Sequence, residues 1–175
     1  MFNFDILGKT KCRTVKKEFT KLLKENQGIV HKVCNIYFYK KPEKEDYFQE
    51  IVIELWKAFP FFKGQSKFST WMYRVVLNSA IDILRKEKKQ PQLIKISQTE
   101  FDIPDNHPSS SSDKKEKLYR AINLLSEVEK AIIILYLEDY SYKEISEIVG
   151  ISETYTGVKI RRIKTELQKT LNHGN

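Results

Sequence analysis

Residues 141–164 read SYKEISEIVGISETYTGVKIRRIK, and their spacing decides the fold of the C-terminal third of the chain. Ser141, followed three residues later by Glu144, fits a capping box, in which hydroxyl and carboxylate each satisfy a free backbone N–H of a helix's first turn. The helix so started buries Ile145, Ile148 and Val149. Gly150 permits the left-handed backbone of a tight turn, Ile151 plugs the junction, and Ser152 caps a second helix. In that helix Thr156, Ile160, Ile163 and Leu167 recur at intervals of 4, 3 and 4, which makes one core-facing stripe. The stripe leaves Glu153, Thr154, Gly157, Val158, Arg161, Arg162 and Lys164 pointing outward beside the capping Ser152.

Two helices joined by a tight glycine turn read as a helix-turn-helix. Early residues of the second helix of such a motif reach base edges of duplex DNA, and basic residues further along meet phosphates. The plainer reading is an αα-hairpin with a solvated basic face. Charge argues against it: from Lys117 to Glu153 there are four basic and seven acidic residues, whereas from Thr154 to Asn175 there are five basic and one acidic. The switch to a basic balance coincides with the second helix.

Working outward, Ser126 with Glu129 is a second capping box. The run AIIILYL that follows is apolar all round and reads as the central helix of a small domain. The spacing predicts helices over 118–124, 127–138, 142–149 and 153–169. Upstream, residues 91–116 contain three Pro and four consecutive Ser with no helical period, and read as a flexible linker. Before it lie three amphipathic segments. The first spans Thr14 to Tyr39 with an interruption near Asn26, Gln27 and Gly28. The second spans Tyr47 to Phe59, with Phe48, Ile51, Val52, Leu55 and Trp56 on its apolar side. The third runs from about Ser69 to Lys89. The fold class is therefore all-α: two small helical domains, residues 1–90 and 117–175, joined by a flexible linker.

Residues 1–90 hold 19 basic and 10 acidic side chains, so the surplus behind the formal charge of +8 sits in the N-terminal region and favours a polyanionic partner. Cys12 and Cys34 form no CxxC pair and have no His cluster nearby, which points to reduced cytosol and to neither a disulfide nor a metal. No signal peptide and no membrane span is expected. No nucleophile set, phosphate-binding glycine loop or metal-ligand spacing suggests an enzyme or a cofactor. His31, His107 and His173 are scattered.

The stretch FFKGQSKFSTWMYRVVLNSAIDILRKEKK, residues 61–89, mixes cations with aromatics. Cationic grooves with stacking aromatics hold single-stranded DNA, although Trp71, Tyr73 and Phe68 at helical spacing equally suit a core. Here a resemblance adds to the residues. DYFQEIVIELWKAFPFFKGQSKFSTWMYRVVLNSAIDILRK resembles region 2 of bacterial RNA polymerase sigma factors of the extracytoplasmic-function group, a branch of the sigma-70 family. LLSEVEKAIIILYLEDYSYKEISEIVGISETYTGVKIRRIKTEL resembles region 4 of the same group. The blocks occur in that order, and nothing resembling the intervening region 3 is present.

The resemblance implies an alternative sigma factor: a non-enzymatic subunit, cytoplasmic and without membrane insertion, that binds core RNA polymerase and directs initiation at particular promoters. It implies that Asp46, Gln49, Glu50 and Glu54 face polymerase. It implies that Phe62, Lys63, Lys67, Ser69, Thr70, Trp71, Arg74 and Asn78 take the unstacked strand of the minus 10 promoter element. Ser152, Glu153, Thr154, Gly157, Val158, Arg161, Arg162 and Lys164 would meet the minus 35 element as duplex. An anti-sigma factor is a further implied partner. Asp82 and Arg85 continue the minus 10 face but fit a surface ion pair equally well. Many members carry a basic residue where this chain has Gly157 and a small polar one where it has Val158. The alternative is a helix-turn-helix regulator that binds duplex DNA without joining polymerase, and a third reading is a cytosolic protein-interaction adaptor that ignores DNA.

Overall fold

A computed structural model describes the backbone of residues 4–39, 41–89 and 110–172, and the side chains of residues 15–39, 41–88 and 116–172. Among the described residues the structure is all-α, with no strand. The elements are α1 (Phe4–Tyr37), α2 (Lys44–Ala58), a 3-10 turn (Phe59–Phe61), α3 (Phe68–Lys89), α4 (Ser110–Asn123), α5 (Glu127–Leu137), α6 (Tyr142–Val149) and α7 (Glu153–Asn172). Contacts divide the chain into two compact units, Met1–Ser79 and Ala80–Asn175, and α3 runs unbroken across that division. The greater part of the linker read from the sequence, along with the Cys12 side chain and His107 and His173, lies outside the described residues.

In the first unit α1 packs along α2. Val30, Val33 and Phe38 are fully buried against a core that also takes Ile51 and Leu55 from α2, Phe59, and Met72 and Val76 from α3. The interruption expected near Gly28 does not occur: α1 is continuous. Gly and Asn inside a helix each cost under about 1 kcal/mol against Ala. Burial of one large apolar side chain returns about 1.5–3 kcal/mol, and Phe19 and Val30 lie buried on either side of the supposed break. Asn26 itself bonds within the helix, its Nδ2 donating to the Leu22 carbonyl at 2.8 Å.

The second unit is organised by α5. Ala131 through Leu135 are all buried, in line with an all-round apolar central helix, and α5 packs on both α6 and α7 while α4 packs on α7. Both capping boxes form. Ser126 and Ser141 accept from the N–H groups of Glu129 and Glu144, whose carboxylates accept in return from the serine N–H groups at 3.2 and 2.9 Å. Gly150 closes α6 in the left-handed conformation at φ 79°, and the N–H groups of Gly150 and Ile151 both donate to the Ser146 carbonyl. Helix α4 begins at Ser110, within the segment read as linker and ahead of the expected start at Leu118. Lys and Glu are good helix formers, and the i,i+4 pair Glu116–Arg120 at 2.6 Å closes across this stretch. The four-serine run concealed that propensity.

A continuous α1 has a measurable consequence. A Cβ at Gly28 would meet nothing within 4 Å, whereas Gly150 has a positive φ. Gly28→Ala should therefore stabilise the chain by about 0.5–1 kcal/mol, and Gly150→Ala should destabilise it by about 1–2 kcal/mol. Urea unfolding checks both; a loss at Gly28 would mean that the helix does break there.

Candidate nucleic-acid and protein-binding surfaces

Helix α2 turns Ile51 and Leu55 into the core, which leaves Asp46, Gln49, Glu50, Ile53, Glu54 and Lys57 on the opposite side. The four polar residues singled out in the sequence are thus brought together. Asp46 and Gln49 are exposed, Glu50 and Glu54 are half-buried, and Glu54 pairs with Lys57 at 2.8 Å. At the centre of this side stands Ile53, 51% exposed. The sequence reading passed over it, although its place off the apolar stripe was legible from helical period alone. Trp56, one turn on and 37% exposed, lies beside it, and an apolar patch with a polar rim is how protein interfaces are commonly centred.

The loop between α2 and α3 is shaped by Gly64 at φ 69° and by aromatic packing. Phe59, Phe62, Phe68 and Trp71 form a cluster, with ring centroids 5.2 Å apart for Phe62 and Trp71 and 5.3 Å for Phe68 and Trp71. Phe62 and Trp71 are accordingly half-buried, engaged with each other rather than standing free. The ring that stands in solvent is Phe61, 77% exposed, which the sequence reading did not select. Lys63 and Lys67 are exposed on the loop, Ser69 and Thr70 are half-buried in the first turn of α3, and Arg74 and Asn78 are exposed further along. Trp71, Arg74 and Asn78 lie on one side of α3, three and seven residues apart. Asp82 and Arg85 form an exposed ion pair at 3.3 Å, the plainer of the two readings given to them. Cys34 in α1 is buried, and burial pushes its thiol up to about 11, with Glu45 adding to the rise and Lys44 opposing it. It is held as an inert thiol. His31 stacks on Phe48, ring centroids 4.6 Å apart, which is a packing role.

In the second unit α7 packs as its period demands: Thr156, Ile160, Ile163 and Leu167 are buried. Ser152 caps the helix, its Oγ accepting from the Tyr155 N–H at 3.3 Å. Glu153, Thr154, Val158, Arg161, Arg162 and Lys164 are exposed, and Gly157 is half-buried beneath Tyr142. Among the described residues neither Arg161 nor Arg162 is paired with a carboxylate. Lys164 donates to the Tyr136 hydroxyl at 3.3 Å and lies over that ring.

Lys159 escaped the sequence reading and has a different part. Its Nζ donates to Glu129 Oε1 at 2.9 Å, and both side chains are about one-fifth exposed. The other oxygen of Glu129 accepts from the Ser126 N–H and Oγ. One carboxylate therefore caps α5 and anchors α7. Its pKa is lowered, first by the Lys159 hydrogen bond and then by the Ser126 hydroxyl, while the Lys159 ammonium is raised by the same bond. No group of metal-binding residues is present among the described residues, and no described helix is long and apolar enough to cross a membrane.

Residues 22–90 match the family model of sigma-70 region 2, and residues 115–167 match that of sigma-70, region 4. The chain is similar to the ECF RNA polymerase sigma-E factor of Haemophilus influenzae, 27% identical over 146 residues that cover 77% of each protein. It is also similar to the ECF RNA polymerase sigma factor SigW of Bacillus subtilis, 25% identical over 183 residues covering 95% of this chain and 98% of that one. Among solved structures it shares the fold of the sigma factor RpoE in complex with the anti-sigma factor NepR from Bartonella quintana. That match has a TM-score of 0.73 at 22% identity and covers 89% of this chain and 98% of that one.

The Glu129–Lys159 pair predicts how stability follows pH. Because the folded-state pKa of Glu129 lies below its ordinary 4.5, its contribution is present above that value and lost as pH falls through the folded pKa. Lys159 is raised above 10.5, so its contribution is complete below that value and lost as pH rises through the folded pKa. Glu129→Gln should therefore destabilise the chain near neutrality and by progressively less below pH 4.5. An equal deficit at neutral and strongly acid pH, measured by urea unfolding, would show that the carboxylate's charge is not what matters.

Proposed function

The chain belongs to the extracytoplasmic-function group of the sigma-70 family and is an alternative sigma factor that directs transcription; we propose how its surfaces divide that work. What carries the reading is the presence in one chain, in order, of region 2 and region 4. A helix-turn-helix regulator acting without polymerase would need only the second, so that alternative leaves residues 22–90 without a role.

The exposed side of α2, centred on Ile53 and rimmed by Asp46, Gln49, Glu50 and Glu54, docks on core RNA polymerase. The loop and the start of α3 receive the minus 10 element once it is opened. Lys63, Lys67 and Arg74 follow its backbone, Phe61 offers a free ring for a base to stack on, and Asn78 hydrogen-bonds an unpaired base. Phe62 and Trp71 brace that surface from beneath through their cluster. Arg161, Arg162 and Lys164 of α7 meet phosphates of the minus 35 duplex, and Glu153, Thr154 and Val158 approach base edges. The functional domains are residues 1–90 and a C-terminal domain that begins with α4, with the residues before α4 connecting them. The protein acts by binding, has no catalytic step, and works in the cytoplasm. An anti-sigma factor is its natural regulator, as in the Bartonella quintana complex.

Ile53→Ala should weaken binding to core polymerase about tenfold and leave folding intact, because Ile53 makes no part of the core. Gln49→Ala should act in the same direction. Unchanged affinity in a fluorescence titration would remove the polymerase assignment from α2.

Strand capture separates melting from binding, since a pocket for an unpaired base contributes only after the duplex opens. Asn78→Ala should spare polymerase binding and the closed complex while impairing the open one, with partial rescue on a template already mismatched over the minus 10 element. Permanganate footprinting of unpaired thymines reads this directly, and equal reactivity for mutant and parent on a fully paired promoter would make Asn78 a structural residue.

A further inference from the structure

Gly157 sits inside the 20-residue helix α7, a position where glycine is disfavoured relative to alanine. Nothing in the chain's own packing demands it. A Cβ there would lie 3.5 and 3.6 Å from two carbons of the Tyr142 ring, which is ordinary van der Waals contact, and the backbone is helical. Glycine also serves where a ligand must come close to the main chain.

Gly157 lies in a groove of about 390 Å³ between α7 and Tyr142 at the start of α6. Tyr142, 43% exposed, bounds one side; Ile160, Arg161, Lys164, Thr165 and Gln168 line the rest. The lining includes two cations, the Gln168 amide, the Tyr142 hydroxyl and no carboxylate, while the Thr165 hydroxyl is already donated to the Arg161 carbonyl at 3.1 Å. Lys164 donates to the Tyr136 hydroxyl at 3.3 Å. The Tyr142 ring presents an apolar face ending in a hydroxyl, which suits a deoxyribose beside a phosphate oxygen.

We propose that this groove seats one phosphodiester of the DNA duplex backbone, drawn close by the absence of a side chain at Gly157, and that Tyr142 and Gln168 are contacts of that backbone. The inference rests on the reading of α7 as the duplex-binding helix and deepens it. Where a residue-157 side chain would read or repel a base, this chain substitutes a sequence-independent hold, because phosphate contacts fix register without specifying bases.

The test uses holoenzyme, formed from core polymerase and the full chain, on a duplex promoter selected from a library and on variants of its minus 35 segment. Gly157→Ala should raise the thermal midpoint of the free chain and yet weaken promoter binding about tenfold, about equally on all variants. Gln168→Ala, at an exposed position that cannot unfold the chain, should weaken binding about threefold in the same uniform way. Binding that is unchanged or tighter for Gly157→Ala overturns the proposal. So does a lowered midpoint, since the glycine would then be required by the protein itself, and so does a loss confined to one base position. Inorganic phosphate at fixed ionic strength should compete poorly; displacement of promoter DNA by millimolar phosphate would mark the groove as a free-anion site instead. Arg162→Ala, outside the groove, separates the two levels of failure. If it weakens binding while Gly157→Ala and Gln168→Ala do not, the groove is wrong and the reading of α7 stands; if it also has no effect, α7 itself has been misassigned.

Discussion

Burial of one stripe of α7 against α4, α5 and α6 is the constraint on which the C-terminal unit depends. Thr156, Ile160, Ile163 and Leu167 are all withdrawn from water, and α5 adds the five consecutive buried apolar residues Ala131 to Leu135 to the same core. Each large side chain contributes about 1.5–3 kcal/mol, so turning α7 about its axis would expose several of them at once. The outward presentation of Val158, Arg161 and Arg162 follows from that packing rather than from any preference of their own. The Glu129–Lys159 pair adds a polar fix beside the apolar one, tying α7 to the carboxylate that caps α5.

The N-terminal unit uses packing differently. Its cationic loop is held by an aromatic cluster in which Phe59, Phe62, Phe68 and Trp71 support one another. Rings committed to that cluster set the loop's shape, and the one left over, Phe61, is available to a partner. Helix α2 makes the same division between an inward side that holds the fold and an outward side that carries Ile53 and part of Trp56 in water.

Much of this was legible in the sequence. The two capping boxes, the left-handed Gly150 and the 4-3-4 stripe each rest on local chemistry that tertiary structure did not override, and the helices they bound lie within a few residues of expectation. Errors came where a weak local signal met a stronger distant one. Gly28 looked like a break until the burial of Phe19 and Val30 on either side outweighed it, and the serine run hid the start of α4. On the loop, side-chain identity could not say which of several neighbouring rings would be used up in packing: Phe62 joins the cluster and Phe61 is the ring left exposed. Lys159 passed unnoticed because its partner Glu129 lies thirty residues earlier and is brought near only by the fold.

The central claim is that these surfaces act together through polymerase. In vitro transcription over a promoter library, by core RNA polymerase with and without this chain, tests it most directly. The structure leads us to expect a discrete set of transcripts that appears only when the chain is added, with the free chain binding the same promoters weakly. Transcripts unchanged by the chain, together with tight promoter binding in the absence of core, would contradict it and make the protein a regulator that works outside polymerase.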